Sequence, residues 1–378
     1  MLQTPKEKIR VIVVDDSPTM RNFLASILTE AGMNVLATGC DGRDALHLVK
    51  ELKPDVITLD IRMPNMDGFD ATRRIMREQP TPIVIVTGSM KYEDVDLTFQ
   101  ALQAGALAVV NKPGLADPQT CEKVVQTVQT MSGVHVIHHW GTRQSVPSKP
   151  TPATLGGVNS RLMDISRYPE LKVIGIASST GGPSALAAVL GDLPADYPLP
   201  ILVVQHVSPG FTTGLVEWLG SVTKMPVDVA DYGDKLKPGT IVFAPDDYHL
   251  QVTRSGEIEL SHSPAYKGLR PSANPLFEAL AQYYGKKALG IVLTGMGDDG
   301  ANGIELLHHA GGLTIAQDKE SCVVYGMPNA AVVRNAIDAQ MNLTEIASFL
   351  RYVGETKMKS LKSGTVSDEY YAKIYHPQ

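Results

Sequence analysis

The sequence predicts an α/β protein with two doubly wound domains. Apolar runs of strand length alternate with helical patterns from Ile9 to Met131, and the alternation resumes at Leu171. The 378 residues exceed the size at which a single core usually stops growing, and 43% of them are hydrophobic. Between residues 141 and 160, twelve of twenty residues are Gly, Pro, Ser or Thr, so this stretch cannot fold by itself and separates the two domains.

These changes of pattern give the predicted domain boundaries. The tail at the C-terminus mixes Lys, Ser, Asp and Tyr with weak periodicity, so we expect it to be mobile or to dock on a partner. The linker begins with His135, His138 and His139, but no carboxylate or thiol accompanies them, so we expect no metal site there. The predicted parts are a first domain at residues 8–131, a linker at 132–168, a second domain at 169–352 and a tail at 353–378.

The first domain is predicted to contain five strands with helices between them. Ser17 before Pro18 indicates the N-cap and the first residue of the opening helix, because serine accepts a hydrogen bond from a free backbone N–H and proline has none to satisfy. The strands are expected near residues 9–15, 34–39, 55–60, 82–87 and 107–111.

Charged side chains follow three of these strands. Asp15 and Asp16 end the first apolar run, Asp60 ends the third, and Lys112 follows the fifth. Because the carboxyl ends of parallel strands meet at one edge of a sheet, we expect these groups to converge there. Carboxylate oxygens are the ligands that Mg²⁺ prefers, and a lysine supplies positive charge to a phosphate. The pattern therefore predicts a magnesium site at which an exposed aspartate accepts a phosphoryl group.

Four motifs at these positions resemble the receiver domain of bacterial two-component response regulators. They are Val13-Val14-Asp15-Asp16-Ser17, Leu59-Asp60-Ile61-Arg62-Met63-Pro64-Asn65-Met66-Asp67-Gly68, Thr87-Gly88-Ser89 and Asn111-Lys112-Pro113. The resemblance implies a flavodoxin-like fold with a five-stranded parallel sheet. One position departs from the family pattern, since Val109 stands where receivers usually carry an aromatic residue, three positions before the lysine.

Carried over by position, the resemblance assigns a role to each of these side chains. It implies that Asp60 is the phospho-acceptor and that Asp15, Asp16 and Asp60 hold Mg²⁺. It also implies that Thr87 is the hydroxyl switch residue and that Lys112 senses the phosphate.

Three polar residues follow strand-like runs in the second domain. Ser179, His206 and Asp299 come after the first, second and third of these runs, and a Gly-rich turn precedes the aspartate. These three could meet at the carboxyl edge of an open sheet. They are the parts of an acyl-transfer triad, in which imidazole takes the serine proton and the carboxylate fixes the histidine tautomer. The three runs are residues 173–177, 201–205 and 289–293, and Gly182-Pro183 opens a helix after the first.

The spacing of these residues also fits other structures. The order Ser, His, Asp differs from that of α/β-hydrolases, and Ala177-Ser178-Ser179-Thr180-Gly181 lacks the first glycine of their nucleophile elbow. Ser179-Thr180-Gly181-Gly182 also fits a phosphate-binding turn at a helix N-terminus, with His206 ending a strand and Asp299 belonging to a turn. The residues alone leave these readings open.

Longer motifs around the three residues resemble the catalytic domain of the CheB family, the chemotaxis protein-glutamate methylesterases. With the receiver, the resemblance covers about residues 8–352. Ser178 stands where alanine is common in the family. The motifs are Ser179-Thr180-Gly181-Gly182, Gln205-His206 with Pro209-Gly210-Phe211, Ala244-Pro245, Arg270-Pro271-Ser272, Leu293-Thr294-Gly295-Met296-Gly297-Asp298-Asp299-Gly300-Ala301 and Ser321-Cys322-Val323-Val324-Tyr325-Gly326-Met327-Pro328.

The CheB resemblance implies a role for each residue of the second site. Ser179 would be the nucleophile, His206 the general base and then acid, and Asp299 the carboxylate that orients the histidine. The backbone N–H of Met296 would contact the oxyanion. Asp298 stands where asparagine is common, and we expect a second carboxylate there to raise the pKa of the pair by like-charge repulsion.

The resemblance implies a phosphorylation-regulated hydrolase. It would demethylate γ-glutamyl methyl esters on methyl-accepting chemoreceptors, release methanol, and deamidate receptor glutamines. The phosphodonor would be a histidine kinase of the chemotaxis type, with Mg²⁺ at the receiver and no cofactor for hydrolysis. We expect the unphosphorylated receiver to cover the crevice near Ser179. The alternative is a phosphorylation-controlled receptor-binding protein without hydrolase activity.

Composition excludes several other classes. A formal net charge of −6 and the lack of a basic recognition helix disfavour a nucleic-acid partner and a receiver-linked transcription factor. No apolar run reaches the roughly 18 residues needed to span a bilayer, and residues 1–8 contain no signal-peptide core, so we expect a cytoplasmic protein without membrane insertion. The cysteines are odd in number and far apart, which predicts buried free thiols at Cys40, Cys121 and Cys322.

Overall fold

The computed structural model describes residues 8–88, 99–102, 104–114, 117–134 and 165–363. The chain divides into two compact units, Met1–Thr142 and Arg143–Gln378. The parts of the sequence analysis that lie outside the described residues are Ser89, the histidines His135, His138 and His139, linker residues 135–164 and tail residues 364–378.

The first unit contains a parallel sheet whose strands alternate with helices. Its strands are β1 (Arg10–Val14), β2 (Asn34–Gly39), β3 (Val56–Leu59), β4 (Ile83–Thr87) and β5 (Ala108–Asn111). Its helices are α1 (Pro18–Glu30), α2 (Gly42–Leu52), α3 (Gly68–Glu78) and α4 (Pro118–Met131).

The strand order of this sheet is β2-β1-β3-β4-β5, and every neighbouring pair is parallel. The predicted flavodoxin-like fold is therefore confirmed, and each strand lies within one residue of its predicted bounds. Helix α1 begins as predicted, because the Ser17 side chain accepts a hydrogen bond from Met20 N and Pro18 is the first helical residue. Its buried face contains Leu24 and Leu28.

The second unit is larger and contains nine described strands. Its strands are β6 (Val173–Ser178), β7 (Ile201–Gln205), β8 (Val227–Val229), β9 (Ile241–Phe243), β10 (His249–Val252), β11 (Ile258–Ser261), β12 (Ala288–Val292), β13 (Leu313–Gln317) and β14 (Ala339–Met341). Its α-helices are α5 (Gly182–Leu190), α6 (Thr212–Val222), α7 (Ala273–Tyr283), α8 (Ala301–His309), α9 (Met327–Val332) and α10 (Leu343–Lys362), and two 3₁₀ helices cover Ile165–Glu170 and Gly285–Lys287.

Seven of these strands form one parallel sheet in the order β14-β13-β12-β6-β7-β9-β8. On one side of β6 lie β7, β9 and β8, and on the other side lie β12, β13 and β14. This confirms the predicted doubly wound α/β domain, and the reversal beside β6 is where such sheets bind ligands. The antiparallel hairpin of β10 and β11 was not predicted from the sequence.

The second unit extends beyond its predicted bounds at both ends. The 3₁₀ helix begins within the predicted linker, and the ring of Tyr168 packs edge-on against Phe349 at 5.6 Å and Tyr352 at 5.9 Å. Helix α10 continues ten residues past the predicted end at residue 352, from 353 to 362. Val353 and Lys357 are buried there, and Lys357 Nζ donates to Pro169 O at 2.9 Å. The two ends of the domain therefore hold each other in place.

Two further expectations concern single side chains and the membrane. All three cysteines are free, but the prediction that they are buried is wrong, because Cys40 is exposed and Cys121 and Cys322 are only partly buried. Cys40 follows β2 at the edge of the sheet, where its Sγ contacts Asp44 Oδ2 at 3.2 Å.

Among the described residues, no helix combines the length and the apolar character needed to cross a membrane.

Candidate functional site

The predicted phosphorylation site lies at the carboxyl edge of the first sheet. Asp15 follows β1 and Asp60 follows β3, on the two strands where the winding of the sheet reverses. Lys112 Nζ lies 2.8 Å from Asp15 Oδ2 and 2.8 Å from Asp60 Oδ2. The structure therefore brings together the acidic pair, the acceptor and the lysine as the sequence analysis expected. Asp60 is only 4% exposed, however, so the expectation of an exposed acceptor is not met.

The carboxylates at this edge fit a divalent cation. Oxygens of Asp15, Asp16 and Asp60 all lie within 4.8 Å of one another. These are hard oxygen donors, and the exposed position of Asp16 leaves one side of the cluster open to water and phosphate oxygens, as Mg²⁺ requires. Arg21, which the sequence analysis missed, donates from Nη1 to Asp15 O at 2.6 Å and holds the loop that carries the acidic pair.

The charges around Asp60 oppose one another. Burial raises the pKa of Asp60 to about 6, although Lys112 acts to lower it. Burial alone would lower the pKa of Lys112, but its bonds to Asp15 and Asp60 raise it.

Thr87 ends β4, and its carbonyl accepts from Lys112 N at 2.7 Å, so the predicted switch hydroxyl lies on the strand beside the lysine. Val109 lies on β5 in register with Ile85 and leaves this position without an aromatic ring.

The buried charge of Asp60 gives a pH-dependent prediction for stability. Because its folded pKa of about 6 exceeds the reference value of 3.8, ionisation of Asp60 costs stability, and this loss grows as pH rises from about 4 to about 7. We expect Asp60→Asn, which removes that charge, to raise the free energy of unfolding of the receiver at pH 7.5 by on the order of 2 to 3 kcal/mol. At pH 4 the two proteins should be nearly equal.

Urea unfolding in EDTA at both pH values measures this difference. Asp16→Asn is the matched control, since Asp16 is exposed and its replacement should change stability by less than about 0.5 kcal/mol. A gap between Asp60→Asn and the original protein that is the same at pH 4 and pH 7.5 would contradict the prediction.

Ser179 and His206 leave the second sheet from neighbouring strands. Ser178 and Gln205 are registered partners in β6 and β7, and His206 N donates to Ser178 O at 3.0 Å. The next residue on each strand therefore begins at the same edge, where adjacent strands lie about 4.8 Å apart. A Cβ on Gly295 would lie 2.7 Å from Ser179 Cβ, so the loop after β12 passes directly beside the serine.

Asp299 contacts the ring of His206. Its Oδ2 accepts from His206 Nε2 at 2.9 Å and from Ala273 N at 2.7 Å. Its Oδ1 accepts from Ser272 Oγ at 2.6 Å and from Asn274 Nδ2 at 2.8 Å. The bond to the carboxylate places the imidazole proton on Nε2, which leaves Nδ1 as the nitrogen able to take a proton from a serine.

The environment of Asp299 keeps it ionised. Only 2% of the residue is exposed, and burial alone would raise its pKa. The hydrogen bond and electrostatic interaction with His206, with the bonds from Ser272 and Ala273 N, outweigh burial and lower the pKa of Asp299 below its ordinary value. Sequence reasoning missed Ser272 and Asn274 as partners of this carboxylate, although Ser272 belongs to the motif Arg270-Pro271-Ser272 and stands at a helix N-cap position.

The expectation for Asp298 is wrong. A second carboxylate was expected to raise the pKa of the pair, but the pKa of Asp299 is lowered. Asp298 is more exposed and pairs with Lys267, whose Nζ lies 2.6 Å from Asp298 Oδ2. This bond raises the pKa of Lys267, and the paired lysine offsets the neighbouring negative charge.

Two other groups near the serine bear on its chemistry. Met296 follows Gly295 in the loop beside Ser179, and within the described chain its backbone N–H makes no hydrogen bond. It is therefore free to donate to an oxyanion. Cys322 is not a competing nucleophile, because burial raises the pKa of its thiol to about 12.

Comparison with known proteins identifies the family of this chain. A family model described as CheB methylesterase matches residues 174–350, and one described as response regulator receiver domain matches residues 11–125. A curated relative from Geobacter metallireducens, named protein-glutamate methylesterase/protein-glutamine glutaminase 4, is 43% identical over 86% of this chain and 92% of its own length. A relative from Nitrosospira multiformis, named protein-glutamate methylesterase/protein-glutamine glutaminase, is 42% identical over 93% of this chain and 99% of its own. Both predicted resemblances are confirmed, and this chain belongs to the CheB methylesterase family, with a response regulator receiver domain at its N-terminal side.

Proposed function

We propose that this chain is a phosphorylation-regulated serine hydrolase that demethylates γ-glutamyl methyl esters on chemoreceptors and deamidates specific receptor glutamines. The observation that carries the proposal is the 2.9 Å contact between His206 and a fully hydrogen-bonded Asp299, at the edge where Ser179 also leaves the sheet. Family membership supports the same reaction, since the relatives are named for both activities.

Each step of ester cleavage has a group to perform it. Ser179 Oγ attacks the ester carbonyl while its proton passes to His206 Nδ1, and Asp299 stabilises the imidazolium that forms. The Met296 N–H donates to the carbonyl oxygen as it becomes negative. The imidazolium then gives its proton to the methoxy oxygen. Methanol departs, and the glutamyl group remains bound to Ser179 as an ester.

Water completes the cycle by the same groups. His206 takes a proton from water, and the resulting hydroxide attacks the glutamyl ester. The proton then returns to Ser179 Oγ as the receptor's glutamate side chain leaves as a carboxylate. With a glutamine side chain, ammonia takes the place of methanol. An amide is a harder substrate than an ester, so we expect deamidation to be the slower activity. These groups supply the nucleophile, the base and the charge, and no step requires a metal ion.

The receiver provides regulation in this proposal. Asp15, Asp16 and Asp60 would hold Mg²⁺, which supplies positive charge to the incoming phosphoryl group, and a chemotaxis-type histidine kinase would donate that group to Asp60. Lys112 would pair with the phosphate in place of the carboxylates. We further propose that phosphorylation of Asp60 shifts the chain toward a state with higher hydrolase activity.

Methanol release from methyl-labelled receptor tests the proposal. The full chain is incubated with Mg²⁺, with and without a small-molecule phosphodonor. We expect phosphorylation to increase the rate about 5- to 150-fold, which corresponds to a coupling of about 1 to 3 kcal/mol. Equal rates with Asp60 shown to be modified would remove the regulatory part of the proposal.

The alternative function, a receptor-binding protein without hydrolase activity, is separated in the same assay. The hydrolase predicts that Ser179→Ala binds receptor but releases no methanol, whereas a binding protein predicts no methanol from either form. The ionised Asp299 held by four donors favours the hydrolase, because binding alone has no use for a carboxylate aligned on a histidine.

A further inference from the structure

The side chain of Gln205 connects the two strand ends of the proposed active site. Only 5% of this residue is exposed. Its Nε2 donates to Ser179 O at 2.8 Å and to His206 O at 2.9 Å. The two acceptors are the backbone carbonyls of the proposed nucleophile and the proposed base, so one amide group contacts both residues.

The orientation of this amide is fixed by its surroundings. A backbone carbonyl can only accept a hydrogen bond, so the NH₂ group must face Ser179 O and His206 O. The amide oxygen accepts from Ser178 Oγ at 2.6 Å, and Ser178 is fully buried. A Cβ on Gly182 would lie 1.9 Å from Gln205 Oε1, so the start of helix α5 closes the remaining side.

The bridge begins where the strand ladder ends. The bond from His206 N to Ser178 O is the last between the two strands, and beyond it the chains separate. The chain after β6 turns at Gly181, whose φ is 78°, and the chain after β7 enters a loop. Ser179 N also donates to Thr294 O at 3.0 Å and His206 Nε2 donates to Asp299 Oδ2 at 2.9 Å, but the Gln205 side chain joins the backbones of both residues directly.

We propose that Gln205 is a positioning residue that sets the distance between Ser179 and His206 through its bonds to both backbone carbonyls. This inference rests on the proposed hydrolase function. A displacement of about 1 Å between reacting groups can lower a rate about 100-fold, and the bridge acts on the backbone of both groups. The Gln205 side chain bonds to Ser178 Oγ and to two backbone carbonyls, and not to Ser179 Oγ or the His206 ring, so its removal should change kcat and leave KM nearly unchanged.

The test compares kinetics and stability in the full chain, phosphorylated by a small-molecule phosphodonor with Mg²⁺. Gln205→Met keeps the length of the side chain and removes its hydrogen bonds. Gln205→Glu keeps the shape of the side chain and replaces the NH₂ group, which carries both N–H donors, by an oxygen, so that it serves as a second variant if the methionine variant fails to fold. We expect kcat for methanol release to fall about 30- to 100-fold in both variants, with KM within about twofold. We expect Ser178→Ala to lose less than about fivefold, because the two carbonyls still orient the amide.

Val353→Ala is the control for a loss of stability alone. Val353 is buried in helix α10 and belongs to neither the bridge nor the active site. It should lower the melting temperature and leave kcat unchanged. If Gln205→Met lowers the melting temperature but keeps kcat within threefold, Gln205 only stabilises the fold and the inference is overturned. A rise in KM at constant kcat overturns it as well, since Gln205 would then act on substrate binding.

A second readout separates this inference from the proposed function. A fluorophosphonate reacts with an activated serine without any receptor, so its rate of attachment to Ser179 reports the alignment of serine and histidine. If the unaltered protein releases no methanol, the proposed substrate is wrong. The inference then stands if Ser179 is still modified at least tenfold faster than in Gln205→Met, and it falls if the two rates are equal.

Discussion

Asp299→Asn is expected to lower kcat for methanol release about 10⁴-fold. All four partners of Asp299 are donors, including His206 Nε2 and Ala273 N. An asparagine amide would direct N–H groups at some of these donors and could no longer hold the imidazole proton on Nε2. The histidine would then present the wrong tautomer to Ser179 and would lose the charge that stabilises the imidazolium.

Asp298→Asn is the matched control for this substitution. Asp298 is the adjacent residue, but it lies nearer the surface and pairs with Lys267. Its replacement should change kcat less than about threefold, because surface ion pairs contribute little. Methanol release and thermal unfolding of both variants give the comparison. Equal losses in the two variants, or less than a tenfold loss in Asp299→Asn, would show that Asp299 does not orient the histidine.

Ending the chain at residue 352 is expected to destabilise the catalytic domain severely. The missing part of helix α10 contains Val353, which is fully buried, and Lys357, which donates to Pro169 O. Burial of a valine side chain contributes about 1.5 to 3 kcal/mol, and a hydrogen bond adds about 1 kcal/mol. We expect a loss of about 2.5 to 4 kcal/mol, which lowers the melting temperature of this domain by about 5 to 16 °C.

A chain that ends after Ser363 is the control, since it retains the whole of helix α10. Differential scanning calorimetry of the two truncated chains beside the full chain measures the effect. We expect the longer truncation product to unfold at the temperature of the full chain. If both truncated chains unfold at that temperature, the last turns of α10 contribute nothing to the domain.

The sequence predicted most of the elements that position the two sites. Long apolar runs such as those of β1, β6 and β7 are recognisable as strands from the sequence alone. A polar residue just after a parallel strand lies at the edge of the sheet where ligands bind, and this rule located Asp60, Ser179 and His206. Short strands gave no such signal. β8 and β14 contain three residues each, too few for a periodic pattern to emerge.

Tertiary contacts account for what the sequence did not predict. Ser272 and Asn274 lie 27 and 25 residues from Asp299 in the chain, and only folding brings them to its carboxylate. The burial of Asp60 likewise depends on how neighbouring loops pack. The last part of α10 contains Lys357, Lys359 and Lys362, and their charge resembles that of a solvated tail although Lys357 is buried.

The position of β6 between β7 and β12 also determines when a newly made chain becomes active. Ser179 and His206 are synthesised on one side of the sheet, and Asp299 follows 120 residues after the serine, on the other side. At translation rates of about 5 to 20 residues per second, the interval is roughly 6 to 24 s. During this time the nascent chain holds a serine without an aligned base. We therefore expect chains that end before Asp299 to be inactive.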